Sequence, residues 1–285
     1  MKAGFWMAPD GADETMTILP VGGDDLGPAL GKRPVSFLAT AGAEELIARC
    51  PRAAALLPEV TAALRRQTAA GQGILFDLTD LSDEERDLIG QTMGEGEVSG
   101  VVALPEGVVA QVQESVLAGL WRIRFNDAEG VLIGDYLEVG GIPEVVKRAV
   151  LLTGTDLDPG EPPAGAMNVM PVLAEIRERM LAHRPGQECH IISFSLFPMS
   201  PADMDYLQER LGHGPIQLVS RGYGSCRIVS TLARHVWSVQ FFNAMGTVIL
   251  DTLEIGDVPA AACAADEDFA DSAERLKEIS EAYFA

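Results

Sequence analysis

The chain has 285 residues, 47% of them hydrophobic, and sets 42 acidic side chains against 21 basic ones for a net charge of −21. That length is long for one core and comfortable for two. A surface so acidic repels phosphate backbones and anionic membranes, which argues against nucleic acid as a partner and favours a basic peptide or protein, with plain solubility as the competing use of the charge.

The opening stretch MKAGFWMAPDGADETM carries one Lys, several acids and no apolar run of the kind a secretory leader needs. Residues 1–55 read as an extended N-terminal segment, rich in Gly and Pro around ILPVGGDDLGPALGKRP. Nowhere does an apolar run approach the ~18 residues of a membrane span, so no membrane insertion is expected and the chain is placed in the cytoplasm. Cys50, Cys189, Cys226 and Cys263 lie far apart without a Cys-x-x-Cys pair. In that compartment they read as reduced thiols, mostly interior, and not as a zinc ribbon or contiguous iron–sulfur motif.

From residue 56 the pattern repeats itself. An amphipathic helix around LLPEVTAALRRQ leads into the strand ILFDLTDL, and a second helix follows with Ser82 as N-cap and Asp83-Glu84-Glu85 in its first turn. Gly94 and Gly96 stop that helix, and the antiparallel strands VSGVVAL, GVVAQVQES, LWRIRFN and VLIGDYLEV come next. After a Pro/Gly-rich linker, residues 153–168, the order recurs: a helix in MPVLAEIRERML, a strand in ISFSLFPM, Ser200 as N-cap, Gly212 and Gly214 as stop, and then the strands. The two copies register best at their last hairpins. With Trp121 on Trp237, eight of the eighteen positions from Trp to Glu are identical, where ordinary residue usage gives roughly one. Further upstream, Ile74 is placed on Ile192. The reading is an α+β fold, a tandem duplication of a unit with an antiparallel sheet flanked by helices, over residues 56–152 and 169–262, with a C-terminal helix in 263–285.

The candidate residues lie in these hairpins. Trp121 and Trp237 alternate with polar neighbours on a strand with one buried face, so core is the main reading and an aromatic binding platform the lesser one. Asn243, with Gly246, supplies the chemistry of a tight turn. Asp135 and Asp251 sit two residues from apolar side chains on either side, and a carboxylate there needs a partner. They read either as symmetry-related binding acids or, preferably, as acids satisfied by a neighbouring turn or strand edge. In SRGYGSCRI, Tyr223 and Cys226 stand among two glycines and two arginines. Cys226 has Arg221 and Arg227 near it in sequence, which opens a reactive-thiol or metal-ligand reading beside that of a buried structural cysteine. No nucleophile–base pair, metal-ligand spacing or phosphate loop emerges, so no catalytic, cofactor or metal residues are assigned and the chain is read as a non-enzyme.

Taken together, GEGEVS, LWRIRF, LIGDYLEV and the run from Gly222 through VWSVQFFNAMGTVILDTLEIGD to AACAADEDFADSAERLKEI resemble the HupH/HyaF family of hydrogenase expression proteins, over nearly the whole chain from MTILPVG onward. The resemblance implies an accessory role in maturing an uptake NiFe hydrogenase. It also implies the iron–sulfur small-subunit precursor as client, held before assembly and export, with other maturation proteins as further partners. Such a precursor carries a basic twin-arginine leader, to which an acidic surface is complementary. The competing expectation is a thiol-dependent factor that uses Cys226 to deliver or repair a metal or iron–sulfur cluster.

Overall fold

The computed structural model describes residues 43–194, 198–222 and 225–284. The first repeat runs α1 (Ala43–Arg49), α2 (Pro51–Arg66), β1 (Ile74–Asp77), α3 (Asp83–Met93), β2 (Val98–Ala103), β3 (Val109–Glu114), β4 (Leu120–Asn126), β5 (Leu132–Val139) and α4 (Glu144–Ala149). The second runs α5 (Val169–Ala182), β6 (His190–Ser193), α6 (Pro201–Leu211), β7 (Ile216–Ser220), β8 (Ser225–Ser230), β9 (Val236–Phe242) and β10 (Val248–Ile255), before α7 (Asp266–Tyr283). This is the α+β duplication that the sequence predicts, except that residues 43–49 and 51–55, read there as part of an extended segment, are helical. Residues 1–42 of that segment lie outside the described residues. The strands order as β1-β5-β4-β3-β2 in the first repeat and β6-β10-β9-β8-β7 in the second, so each strand has the same neighbours as its counterpart.

The local chemistry matches copy for copy. The Ser82 hydroxyl accepts from Glu85 N–H at 3.2 Å while the Glu85 carboxylate accepts from Ser82 N–H at 3.1 Å. Ser200 and Asp203 make the same reciprocal box at 3.1 and 2.8 Å, satisfying backbone donors that a helix start leaves open. Gly94 and Gly212 end these helices at φ 61° and 58°, a left-handed conformation that glycine enters without steric penalty. Asp127 in one hairpin and Asn243 in the other accept two turn N–H groups each. A β-bulge follows both turns, at Ile133 between Leu132 and Gly134 and at Ile249 between Val248 and Leu250. Ile133 and Ile249 consequently stand 51% and 62% exposed instead of packing beside the aspartates two residues on.

One expected equivalence is corrected. Ile74 pairs with Val139 and His190 pairs with Ile255, so β1 corresponds to His190–Ser193 and Ile74 to His190, not Ile192. A slip of two residues leaves every side chain on its own face, and alternation alone does not detect it.

Each repeat builds its own core. Val172, Leu173 and Ile176 of α5 and Leu207 and Leu211 of α6 pack with Ile192, Val236, Leu253 and Ile255. In the first repeat Leu57 and Leu64 of α2 and Leu88 and Ile89 of α3 meet Leu120, Leu137 and Val139, and Phe269, Ala273 and Leu276 of α7 complete that core from the far end of the sequence. Ser272 Oγ donates to Ala118 O at 2.9 Å, and a Cβ on Gly119 (φ 81°) would run into the Phe269 ring. One compact unit therefore holds Leu104–Val145 and Cys263–Ala285 with the described residues up to Ser99, and the other holds Val146–Ala262 with Gly100–Ala103. Residues 153–168 contain no helix or strand, yet the stretch is tied to the second repeat: Asp203 accepts the N–H groups of Met167, Asn168 and Val169 at 2.7–3.0 Å, and Tyr206 OH donates to Pro159 O.

Candidate functional site

The two tryptophans are interior side chains, 0% and 1% exposed. Trp121 Nε1 donates to Gly140 O at 2.9 Å and Trp237 Nε1 to Gly256 O at 3.3 Å, the residue that leaves each hairpin. A buried indole needs such a partner for its N–H, and here the bond ties the strand before the turn to the chain after it. Phe241 is half-buried. Asn243 is exposed and spends its side chain on its own turn. Tyr223 lies outside the described residues.

Asp135 is 1% exposed and takes a two-pronged ion pair from Arg122, Nε to Oδ1 at 3.0 Å and Nη2 to Oδ2 at 2.7 Å, the geometry a guanidinium and a carboxylate share best. Arg124 approaches the same carboxylate at 4.0 Å. Asp251 is 9% exposed, and the positions of Arg122 and Arg124 are held by Ser238 and Gln240; Gln240 Nε2 donates to Asp251 Oδ2 at 3.2 Å. Asp135 thus takes a guanidinium fork from a strand position that a serine holds in the second repeat, and Asp251 accepts an amide N–H from Gln240.

Cys226 is 3% exposed, opposite Phe241 in the β8–β9 ladder and Ser220 in the β7–β8 ladder. Burial, with the nearby Glu254 charge adding to it, pushes its thiol up to about 12. That is the direction of an inert thiol, opposite to the depressed value a nucleophile or ligand needs. The adjacent arginines in sequence lend it no activation, because side chains alternate across a strand.

Sequence reasoning missed a cluster at one end of the second repeat. His183 caps the C-terminus of α5, His235 precedes β9 and Asp257 follows β10. His183 Nε2 stands 3.1 Å from Asp257 Oδ1, and the two imidazole centroids are 4.2 Å apart. One ligand atom from each of the three residues lies within 4.8 Å of the others. The His183 side chain is 7% exposed and that of Asp257 44%. Asp257 Oδ2 accepts Gly186 N–H at 2.7 Å, and Cys189 Sγ lies 3.7 Å from Asp257 O. Burial, the neighbouring His183 and Arg234 lower the His235 pKa, against Asp257 and a hydrogen bond with the Gly256 backbone. The three residues belong to no motif, and only the meeting of three chain segments brings them together. Among the described residues no helix is long and apolar enough to cross a membrane.

A duplicated α+β scaffold whose two hairpins are anchored by equivalent tryptophans defines an internally repeated protein of one recognisable class. The sequence pattern described as "HupH hydrogenase expression protein, C-terminal conserved region" matches residues 51–150 and 166–283, one stretch in each repeat, and the chain belongs to this family. The hydrogenase expression/formation protein HupH of Rhizobium leguminosarum bv. viciae is 57% identical over 284 residues, covering 100% of both chains. The hydrogenase-1 operon protein HyaF of Escherichia coli K12 is 35% identical over 82% of each. Among solved structures, the hydrogenase expression protein HupH from Thiobacillus denitrificans is 27% identical, covers 39% of this chain and 93% of its own, and superposes with a TM-score of 0.36.

Proposed function

We propose that this protein is a non-catalytic accessory factor of hydrogenase maturation, which holds the iron–sulfur small-subunit precursor in the cytoplasm before assembly and export. The observation that carries this reading is the full-length likeness to proteins named for hydrogenase expression and formation. The −21 charge supports it, since an acidic surface steers a precursor with a basic leader. So do the bulged hairpins, which present Val131, Leu132 and Ile133 in one repeat and Met245, Ile249 and Leu250 in the other to solvent, apolar side chains of the kind a client contact buries. The thiol-dependent alternative draws no support from Cys226, whose surroundings raise its pKa.

The test is association of the purified protein with a leader-bearing small-subunit precursor across a salt series. Charge pairs are screened over roughly 8 Å at physiological salt, so the on-rate falls as salt rises. Ile249→Asp shortens the lifetime of the complex, and Cys226→Ser binds as the wild type does. Salt-independent association together with loss of binding in Cys226→Ser would instead favour the thiol mechanism.

A further inference from the structure

The offset that places Trp121 on Trp237 also places Gln67 on His183, Gly119 on His235 and Gly141 on Asp257. The structural roles agree: Gln67 caps α2 with its N–H on Leu64 O, as His183 caps α5 with its N–H on Met180 O. In the first repeat this corner is closed by an amide, Gln67 Nε2 donating to Val139 O at 2.7 Å and Gln72 O at 2.9 Å, and by two glycines. In the second repeat the same three positions carry two imidazoles and a carboxylate.

We propose that His183, His235 and Asp257 bind a divalent first-row transition-metal ion, Zn2+ in particular, with one coordination position left open. Two neutral imidazoles and a carboxylate are a donor set suited to such an ion, and three protein ligands with the fourth position left to water set such a site apart from closed, four-ligand structural zinc. Ligand atoms on a tetrahedral ion with bonds of about 2.0–2.2 Å stand about 3.3 Å apart. The His183–Asp257 separation of 3.1 Å already meets this. The others, all within 4.8 Å, close by at most about 1.5 Å.

The outer contacts fit as well. The second carboxylate oxygen of Asp257 is held by Gly186 N–H, and the His235 backbone carbonyl accepts Gly256 N–H at 2.8 Å. A partner like the Gly186 N–H orients a ligand around a metal. His235 also sits at φ 64°, in the left-handed region, where the first repeat uses glycine at φ 81°. A non-glycine side chain in that region is disfavoured by its own backbone, and such positions collect at ligand-binding sites. What the second repeat gains there is an imidazole facing His183 and Asp257.

The experiment uses the full chain without a histidine tag, stripped with chelator and dialysed against Zn2+, and separately titrated with Co2+ as a spectroscopic probe. One Zn2+ is retained per chain, and Co2+ gives the visible bands of a nitrogen–oxygen tetrahedral or five-coordinate site. Affinity falls by about tenfold or more in His183→Gln, His235→Gly and Asp257→Asn. His190→Gln, which alters a histidine paired with Glu175 at 2.7 Å outside the cluster, binds as the wild type does. His235→Gly puts at this position the residue the first repeat carries, so the variant folds and a lost ion is read as a lost ligand. No retained Zn2+ in the wild type, unchanged affinity in His235→Gly, or a sulfur-to-cobalt charge-transfer band from Cys189 would each overturn the assignment.

Discussion

The two repeats share a strand order, two capping boxes, two bulged hairpins and two anchored tryptophans, yet they differ at several buried polar positions of their sheets. The first repeat places charge inside and neutralises it: Asp135 faces Arg122, and Glu114 is buried where its own N–H partners and neighbouring acids compete. The second places Gln240 beside Asp251 and Ser230 opposite Trp237, in the place Glu114 takes opposite Trp121. Duplication has preserved what the backbone requires and released what it does not. The positions that diverge, Gln67/His183 and Gly119/His235 among them, are where one copy has acquired chemistry that the other lacks.

The sharpest way to break this comparison is to remove the partner of each aspartate. Arg122→Ala removes the two-pronged pair from buried Asp135, leaves it the longer Arg124 contact at 4.0 Å, and destabilises by about 3 kcal/mol. Gln240→Ala removes an amide donor from Asp251 and costs about 1–3 kcal/mol. Denaturant midpoints of the two variants at unchanged m-value measure the difference, and equal losses would mean that the two acids are held alike.

Glu114 offers a test by pH. Burial, with Glu97 and Asp268 adding to it, raises its carboxyl from 4.5 to about 7, although Gly119 and Val98 N–H groups act the other way. The folded chain therefore holds this proton more tightly than the unfolded one. Stability contributed by the protonated form is fully present below about pH 4.5 and is lost as pH rises to about 7, a swing of about 3 kcal/mol. Glu114→Gln flattens that part of the stability–pH curve. An unchanged curve would place the titration elsewhere. The second repeat carries Ser230 at this position, and the carboxyl that burial raises there is Glu254 of β10 instead, so the two repeats titrate from different strands.

The left-handed corner offers a further contrast, and its His235 side gives the smallest effect. Gly119→Ala meets the Phe269 ring and an unfavourable φ, and loses about 2–3 kcal/mol. His235→Gly, at the equivalent position, changes stability by about 1 kcal/mol or less in metal-free buffer. Thermal unfolding of the pair measures the contrast, and a large loss in His235→Gly would make that ring a packing residue.

Much of this architecture was legible in the amino acids. Ser82, Ser200, Gly94 and Gly212 announce their caps because capping is local chemistry, and the tryptophan hairpins announce the duplication because their register has no gap. The slip between β1 and β6 was illegible, since a two-residue shift preserves alternation. The pairing of Asp135 with Arg122 could be anticipated only as a need for some partner. Cys226 looked basic in sequence and proved buried, because neighbours along a strand point to opposite faces. The cluster of His183, His235 and Asp257 was invisible for a different reason: no spacing rule links residues that meet only when a helix end and two strand ends converge.

The far-sequence origin of α7 sets the timetable of synthesis. The second repeat carries its helices within its own stretch of chain and has what it needs once β10 has emerged. The first repeat, translated earlier, waits for Phe269 and Leu276 before its core is closed. At ordinary translation rates that wait is on the order of ten seconds. During it Leu57, Leu64 and Leu120 lack their covering helix. The half of the protein that is made first is thus completed last, and a chain cut short before α7 leaves the ribosome with its older half open.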